Sequence, residues 1–416
     1  MSKEILIPKI RFNIFDGNWE KLKLKEVANY IRGSFPQPYT NPEWYDEENG
    51  KPFVQVADIG FNLKLNETTK QHISNIAESK SRFVDKGTVI VALQGSIEKS
   101  IGRVALTQYP AFFDRTILIF ESYKVSVDKK YFAQVIQNLF KIEKERAWGA
   151  TISTITKSAV SEFIIGIPEE KEQKEIGLFF SKLDDTIFFQ QQLLNDHKQL
   201  KKAMLQKMFP QKGESVPRVR FAGFTDNWEQ RKLGEVSPLR GGFAFQSTKF
   251  QLKGIPIIRI TNILSNERVG GNYVYYEQQE NDSKYSLPDK SAILAMSGAT
   301  TGKVSVLDNP NNEKIYQNQR VGYFKDLGIV NYTFISTIVK SNLFINQLKS
   351  VLVAGAQPNI SSKEIDEFYF YFPTEKEEQT KIGDFFKQLD ETIVLHEKKL
   401  ETYQNLKKAM LQKMFV

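Results

Sequence analysis

Lys201 to Phe209 reads KKAMLQKMF, and Lys407 to Phe415 reads KKAMLQKMF again. Nine identical residues at an offset of 407 − 201 = 206 do not arise from composition bias, so the chain is one unit written twice. Working outward, Ile7-Pro8-Lys9-Ile10-Arg11-Phe12 returns as Val216-Pro217-Arg218-Val219-Arg220-Phe221, and FDGNWE at Phe15–Glu20 returns as FTDNWE at Phe224–Glu229. Phe53–Ile59 and Ile257–Ile263 share a pattern. Val89–Gly95 and Ala292–Gly298 are apolar runs ending in glycine. Each copy closes on proline and a charged helix start, Pro168-Glu169-Glu170-Lys171-Glu172 and Pro373-Thr374-Glu375-Lys376-Glu377. The ends of the unit are alike and the middles are not, as expected of a constant scaffold around a variable surface.

The repeated nonapeptide ends a long helix in each copy. From about Glu169 to Met208 there is no proline, and ~40 residues give ~60 Å of helix. Phe180, Leu183, Ile187, Gln190, Leu194, His197, Lys201, Met204 and Met208 follow one another at steps of three and four. So do Phe386, Leu389, Ile393, His396, Leu400, Tyr403, Lys407, Met410 and Met414. This is coiled-coil spacing. Gln190 falls with His396, His197 with Tyr403 and Lys201 with Lys407, and polar seam residues fix register at a cost in stability. His197 and His396 therefore read as seam residues, not metal ligands. The simplest arrangement pairs the two helices antiparallel, with the globular domains at opposite ends about a pseudo-twofold axis.

Periodicity predicts strands at 53–59, 87–93, 101–107 and 116–127 and a helix at 129–146 in the first copy. In the second it predicts strands at 256–263, 290–297, 302–307 and 318–325 and a helix at 331–350. The expected fold is mixed α/β: a globular domain over 1–166, a helix over 167–212, a second domain over 213–371 and a second helix over 372–416.

Composition narrows the chemistry. The 416 residues contain no cysteine, which excludes disulfides, thiolate metal sites and a cysteine nucleophile. Three histidines (His72, His197, His396) argue against a histidine-rich metal centre. No apolar run approaches the ~20 residues of a membrane span, and Met1–Ile10 lacks a signal-peptide core, so a cytoplasmic location is expected. The net charge of +8, from 57 basic and 49 acidic residues, makes an anionic partner plausible.

Catalytic motifs are missing. Gly298-Ala299-Thr300-Thr301-Gly302-Lys303 is one residue short of a phosphate loop, lacks Ser or Thr after the lysine, and sits between two strand patterns; it reads as a hairpin loop. Glu397-Lys398-Lys399 has nuclease-like spacing but lies on the long helix, where charge is a solvated face. There is no Asn-Pro-Pro-Tyr or Asp-Pro-Pro-Tyr motif of the amino-methyltransferase kind. The chain reads as a binder. A stand-alone DNA-modifying enzyme and a coiled-coil scaffold for protein or RNA stay as alternatives.

Two variable domains, two near-identical helices, Asn18-Trp19-Glu20 and Asn227-Trp228-Glu229, the turn Gly242-Phe243-Ala244-Phe245, Gly355-Ala356-Gln357-Pro358-Asn359-Ile360 and the two KKAMLQKMF segments carry a resemblance over essentially the whole chain. It resembles the specificity subunit of a type I restriction–modification system. Gly149–Ile155, the matching stretch of the first copy, lacks the glutamine found as Gln357. The resemblance implies that each variable domain reads one half of a split double-stranded DNA target. The helices then act as a ruler and dock two methyltransferase subunits, which methylate adenine N6 with S-adenosylmethionine. Two motor-nuclease subunits using ATP and Mg2+ complete the complex. The specificity subunit itself is non-catalytic and holds no cofactor or metal.

Base edges are read by Arg, Gln, Asn, Ser and Thr, while Lys and Arg also meet phosphates. In the second copy the candidates are Gln317, Asn318, Gln319 and Arg320, then Ser297, Thr300, Thr301 and Lys303, then Arg259, Thr261 and Asn262, with Gln357 implied by the resemblance. The corresponding first-copy candidates are Arg115 beside Asp114, then Gln94, Ser96, Lys99 and Arg103, then Gln55 beside Asp58. Arg32 and Arg240, next to their glycines, are expected to clamp phosphates.

Overall fold

The period-2 alternation of the apolar run at 89–93 decides how the first globular domain is layered. Val89, Val91 and Leu93 pack with Phe132, Ile136 and Phe140 of the helix Lys129–Arg146. Ile90 and Ala92, pointing the other way, pack with Val54, Phe113 and Ile117. A strand apolar on both sides must be covered on both sides, and this one is. The computed structural model, which describes residues 7–96, 100–146, 155–211, 213–264, 266–354 and 359–415, places Val89–Ala92 inside a four-stranded antiparallel sheet. Its order is Ala28–Arg32, Ile117–Tyr123, Val89–Ala92, Val104–Leu106. A second sheet runs Gln71–Ile73, Lys51–Val54, Ala111–Phe113, Arg82–Val84, with its middle two strands parallel.

The second copy repeats the plan. Ala292 and Leu294 face the helices Tyr332–Lys340 and Asn342–Ala354, while Ile293 and Ala295 face Ile258 and Val321. The four-stranded sheet is Leu239–Gly241, Val321–Phe324, Ala292–Ala295, Val304–Val306. The outer sheet is Val274–Tyr276, Ile255–Ile258, Tyr316–Gln317, again with a parallel pair.

The chain divides into two compact units, and the division falls inside both long helices, Glu170–Lys207 and Lys376–Met414. One unit joins the residues up to Leu193 with those from His396 onward; the other is Leu194–Leu395. Each unit therefore holds a globular domain, the first half of the helix that follows it, and one copy of KKAMLQKMF from the other helix. Within the first unit Phe415 lies against Phe180 and Tyr131, with ring centroids 5.4 and 5.7 Å away. Ile10 N–H donates to the Lys413 carbonyl at 3.0 Å. Within the second, Phe209 lies against Phe386 and Phe334 at 5.9 and 5.5 Å, and Val219 N–H donates to the Lys207 carbonyl at 2.9 Å. The helix segments run antiparallel inside the first unit: Phe180 meets Phe415, Asp184 meets Lys407 at 2.5 Å, and Gln190 meets His396 at 3.0 Å. None of the eighteen seam positions named above is exposed.

The repeated motifs at the ends of each copy meet in space. Arg11 forms a two-pronged pair with Glu172, both contacts 2.6 Å, and Trp19 Nε1 donates to the same carboxylate at 3.1 Å. Glu172 is fully buried. Arg220 and Glu378 repeat the pair at 2.6 and 2.9 Å. A two-stranded ribbon, Glu20–Lys23 with Ile164–Ile167, returns the chain from the domain to the helix start, and Glu229–Lys232 with Tyr369–Phe372 does the same in the second copy.

The structure trims several expectations. The strands expected at 53–59 and 256–263 end at Val54 and Ile258, and short 3-10 turns, Val56–Asp58 and Ile260–Asn262, follow. The cause is a side chain: Asp58 accepts from the Gln55 N–H at 2.8 Å and Asn262 from the Arg259 N–H at 3.0 Å, folding the backbone over. The other predicted strands shorten to 89–92, 104–106, 117–123, 292–295, 304–306 and 321–324. The helix expected at 331–350 is two helices, separated at Ser341, whose extended backbone (ψ 160°) breaks the helical run.

Candidate nucleic-acid interface

Backbone hydrogen bonds gather the three candidate clusters of each copy at one place. In the first unit the strand Lys51–Val54 ends beside Ala111–Phe113, and the Asp114 N–H donates to the Val54 carbonyl at 3.0 Å. A turn at Asp114-Arg115-Thr116 follows, closed by Asp114 Oδ1 accepting from the Thr116 N–H at 2.8 Å. Leu93 N–H then donates to the Thr116 carbonyl at 2.8 Å. Gln55, Arg115 and Gln94 thus leave the ends of three adjoining segments. Arg103 joins them: its Nη1 donates to the Ile59 carbonyl at 3.1 Å, and its guanidinium lies 4.2 Å over the exposed ring of Phe61.

The second unit reproduces each link. Asn318 N–H donates to the Ile258 carbonyl at 3.0 Å, Asn318 Oδ1 accepts from the Arg320 N–H at 3.3 Å, and Met296 N–H donates to the Arg320 carbonyl at 3.0 Å. Thr300 Oγ1 donates to the Ile260 carbonyl at 3.2 Å, tying the loop cluster to the strand-end cluster. Lys303 takes the place of Arg103: Ala295 N–H donates to its carbonyl as Ala92 N–H does to that of Arg103. The loop Gly298–Thr300 is a 3-10 turn between two strands with no helix after it.

A glycine braces the turn in each unit. A Cβ on Gly33 would lie 2.3 Å from the Phe113 and Asp114 carbonyl oxygens, and one on Gly242 would lie 2.0 Å from that of Gln317. Arg32 and Arg240 precede these braces. Arg32 is half-buried at a strand end; Arg240 is exposed and pairs with Asp366 at 3.1 Å.

Exposure separates the candidates. Ser96, Arg115, Arg240, Thr261, Gln319 and Arg320 are exposed. Arg32, Gln55, Gln94, Arg103, Arg259, Thr300, Thr301, Lys303 and Asn318 are half-buried, and Ser297 is buried. Two expected readers are turned inward. Asn262 is fully buried; besides accepting from Arg259, it donates to the Gly270 and Asn272 carbonyls at 3.0 and 3.1 Å. Gln317 is buried with its Nε2 donating to the Arg240 and Val321 carbonyls, both at 2.7 Å. Both amides are consumed in shaping the turns. Lys99, Gln357 and the stretch 149–154 lie outside the described residues.

Aromatic side chains that the sequence pattern did not single out support the arginines. Tyr39 underlies Arg115, its ring 5.4 Å from the guanidinium, and Tyr39 Oη donates to Asp114. Phe250 underlies Arg259 at 5.9 Å. Burial holds the Arg103 guanidinium below its ordinary value. Nε of Arg103 and Nε of Arg259 are buried without a hydrogen-bond partner among the described residues.

Comparison with known proteins agrees with this architecture. The family model of the type I restriction modification DNA specificity domain matches twice, over residues 16–198 and 225–404. The type I restriction enzyme MjaVIII specificity subunit of Methanocaldococcus jannaschii is 23% identical over 410 residues, covering 95% of this chain and 91% of that protein. The crystal structure of the type I restriction–modification S subunit from M. genitalium superposes with a TM-score of 0.69 at 16% identity, covering 99% of each chain. The chain belongs to the type I restriction–modification DNA specificity family. It is a DNA sequence-recognition subunit, and the family is not itself catalytic and needs no cofactor of its own. No helix among the described residues is long and apolar enough to cross a membrane.

Proposed function

We propose that the domains over 1–166 and 213–371 are target recognition domains, each reading one half of a bipartite double-stranded DNA sequence, and that the helices over 167–212 and 372–416 set the spacing between the halves. The observation that carries this reading is the convergence, in each unit, of three polar loop clusters on one glycine-braced turn. The DNA-facing set is Arg32, Gln55, Gln94, Ser96, Lys99, Arg103 and Arg115 in the first domain. In the second it is Arg240, Arg259, Thr261, Thr300, Thr301, Lys303, Asn318, Gln319, Arg320 and Gln357. Arginine and lysine among them neutralise phosphates as well as reading bases.

The repeated helices dock two methyltransferase subunits, one for each copy of the repeat. Those subunits supply S-adenosylmethionine and methylate adenine N6, the adenine leaving the stack to reach them. Two motor-nuclease subunits bring ATP and Mg2+. The complex works in the cytoplasm. The test is the host methylome with and without this gene: loss of one bipartite motif carrying adenine methylation on both strands supports the reading, and an unchanged methylome overturns it. Replacing residues 14–165 with another recognition domain should change one half-site and leave the other intact.

A further inference from the structure

We infer that the two units read with the same pair of positions filled in opposite order: Gln55 with Arg115 in the first, Arg259 with Gln319 in the second, glutamine taking adenine and arginine taking guanine. This rests on the DNA-reading function proposed above. Register fixes the equivalence. Phe53 and Val54 pair in parallel with Phe112 and Phe113, and Ile257 and Ile258 pair in parallel with Tyr316 and Gln317. Gln55 and Arg259 are the next residues on the first strand of each pair. Arg115 and Gln319 are the central residues of the turns that leave the second strand, each turn pinned by the same Asp114 or Asn318 backbone bond. The two positions therefore stand side by side at the ends of two parallel strands in both units, and Arg115 and Gln319 are both exposed.

Chemistry separates base reading from phosphate clamping here. A phosphate is the same at every step of DNA, so a clamp keeps a cation in both copies. These positions exchange a cation for a neutral amide, and both side chains have two-pronged partners on base edges: arginine with guanine O6 and N7, glutamine with adenine N6 and N7. The arginine of each pair is also pre-set. Arg115 lies over Tyr39 and Arg259 over Phe250, rings supplied by the same segment of each domain, between the bracing glycine and the first parallel strand. A stacked guanidinium loses less freedom when it meets a base.

The experiment uses the full chain co-expressed with the methyltransferase of its host, with methylomes read for wild type, Arg115→Gln and Gln319→Arg. Arg115→Gln should alter one G·C pair of the first half-site, and Gln319→Arg one A·T pair of the second. In parallel, wild-type complex is bound to duplexes in which single purines are replaced by their 7-deaza analogues, which lack N7. One guanine and one adenine in each half-site should weaken binding about ten-fold or more. Arg115→Ala should erase the guanine effect in the first half-site alone. A motif unchanged in both variants, or a deaza scan with no sensitive purine, overturns the inference. If a variant abolishes methylation, the wild-type scan decides. A wild-type methylome without a bipartite motif overturns the underlying function instead.

Discussion

Lys407 and Asp184, separated by 223 residues in sequence, are bonded Nζ to Oδ1 at 2.5 Å on facing helix segments of the first unit. The pair is well buried, its side chains 15% and 5% exposed. Gln134 Nε2 donates to the other carboxylate oxygen at 2.5 Å, and Lys407 also donates to Gln137 at 3.2 Å. Lys407 is thus satisfied in one register, and sliding the helices by a turn would strand a charge. Removing one partner of a buried pair costs roughly 3–5 kcal/mol. Asp184→Ala should lower the stability of the first unit by about that much, read by denaturant unfolding. The isosteric change of both partners, Asp184→Leu with Lys407→Met, should recover most of it. A loss under about 1 kcal/mol for Asp184→Ala would show the pair to be energetically idle.

The second unit uses a denser version of the device, and pH reaches it. Lys201 lies 2.8 Å from Asp390 and 2.7 Å from Glu267, and Lys340 pairs with both carboxylates. Burial alone would raise the Asp390 carboxyl, but Lys340 and Lys201 hold it below its ordinary 3.8. A carboxyl held lower in the folded state contributes stability above its ordinary value, and the contribution is lost as pH falls through the folded value. Burial would lower Lys201, but Asp390 and Glu267 raise it above 10.5; that contribution is full below the ordinary value and is lost as pH climbs past the raised one. Unfolding midpoints of the second unit should therefore fall steeply below about pH 4. Asp390→Asn should lower the plateau and flatten that acid limb. An unchanged acid limb would remove the network from the account.

Gly33 and Gly242 predict a recognition defect without contact to any base. Alanine at either position puts a methyl group 2.0–2.3 Å from a carbonyl oxygen of the reading turn, so the turn must move. Overpacking of this kind costs roughly 1–3 kcal/mol. Gly242→Ala should weaken binding to the cognate duplex and leave Gly33-dependent recognition of the other half untouched. Equal affinity for the cognate duplex, measured by titration at fixed salt, would show that the turn does not need its brace.

Spacing gives a fourth test. Inserting four residues after Leu193 and four after Leu395, about one turn in each helix, adds ~6 Å to each. The gap between half-sites should grow by about one to two base pairs. Methylation of an unaltered motif by the extended protein would sink the ruler.

The helical frame and the central strands were open to reading because each rests on a local pattern. The three-four steps from Phe180 to Met208 pick out positions of which none is exposed, and the unbroken apolar runs at 89–93 and 292–295 suit strands covered on both faces. In the outer sheets the strands ending at Val54 and Ile258 were legible, but neighbours such as Gln71–Ile73 and Val274–Tyr276 escaped because they are three residues long and carry no period. Ser341 hid its break because the apolar pattern continues across it. The surface was half legible. Polar residues at strand ends look alike in sequence whether they face outward, as Gln319 does, or inward, as Gln317 does two residues earlier; which one is spent on carbonyls depends on a turn closed by Arg240, 77 residues away. The aromatic supports Tyr39 and Phe250 gave no signal, since neither shares a periodic segment with the arginine it supports.

The division of the units across the helices also orders events at the ribosome. The second unit is one continuous stretch, Leu194–Leu395, and holds all its parts once it has emerged. The first domain emerges earlier but closes later. Its seat for Phe415, formed by Phe180 and Tyr131, stays vacant while the whole second unit is translated. N-terminal domains ordinarily fold first during synthesis; here the N-terminal domain is completed last. A chain cut short before His396 lacks the helix segment that carries Phe415 and leaves the apolar seat formed by Phe180 and Tyr131 uncovered.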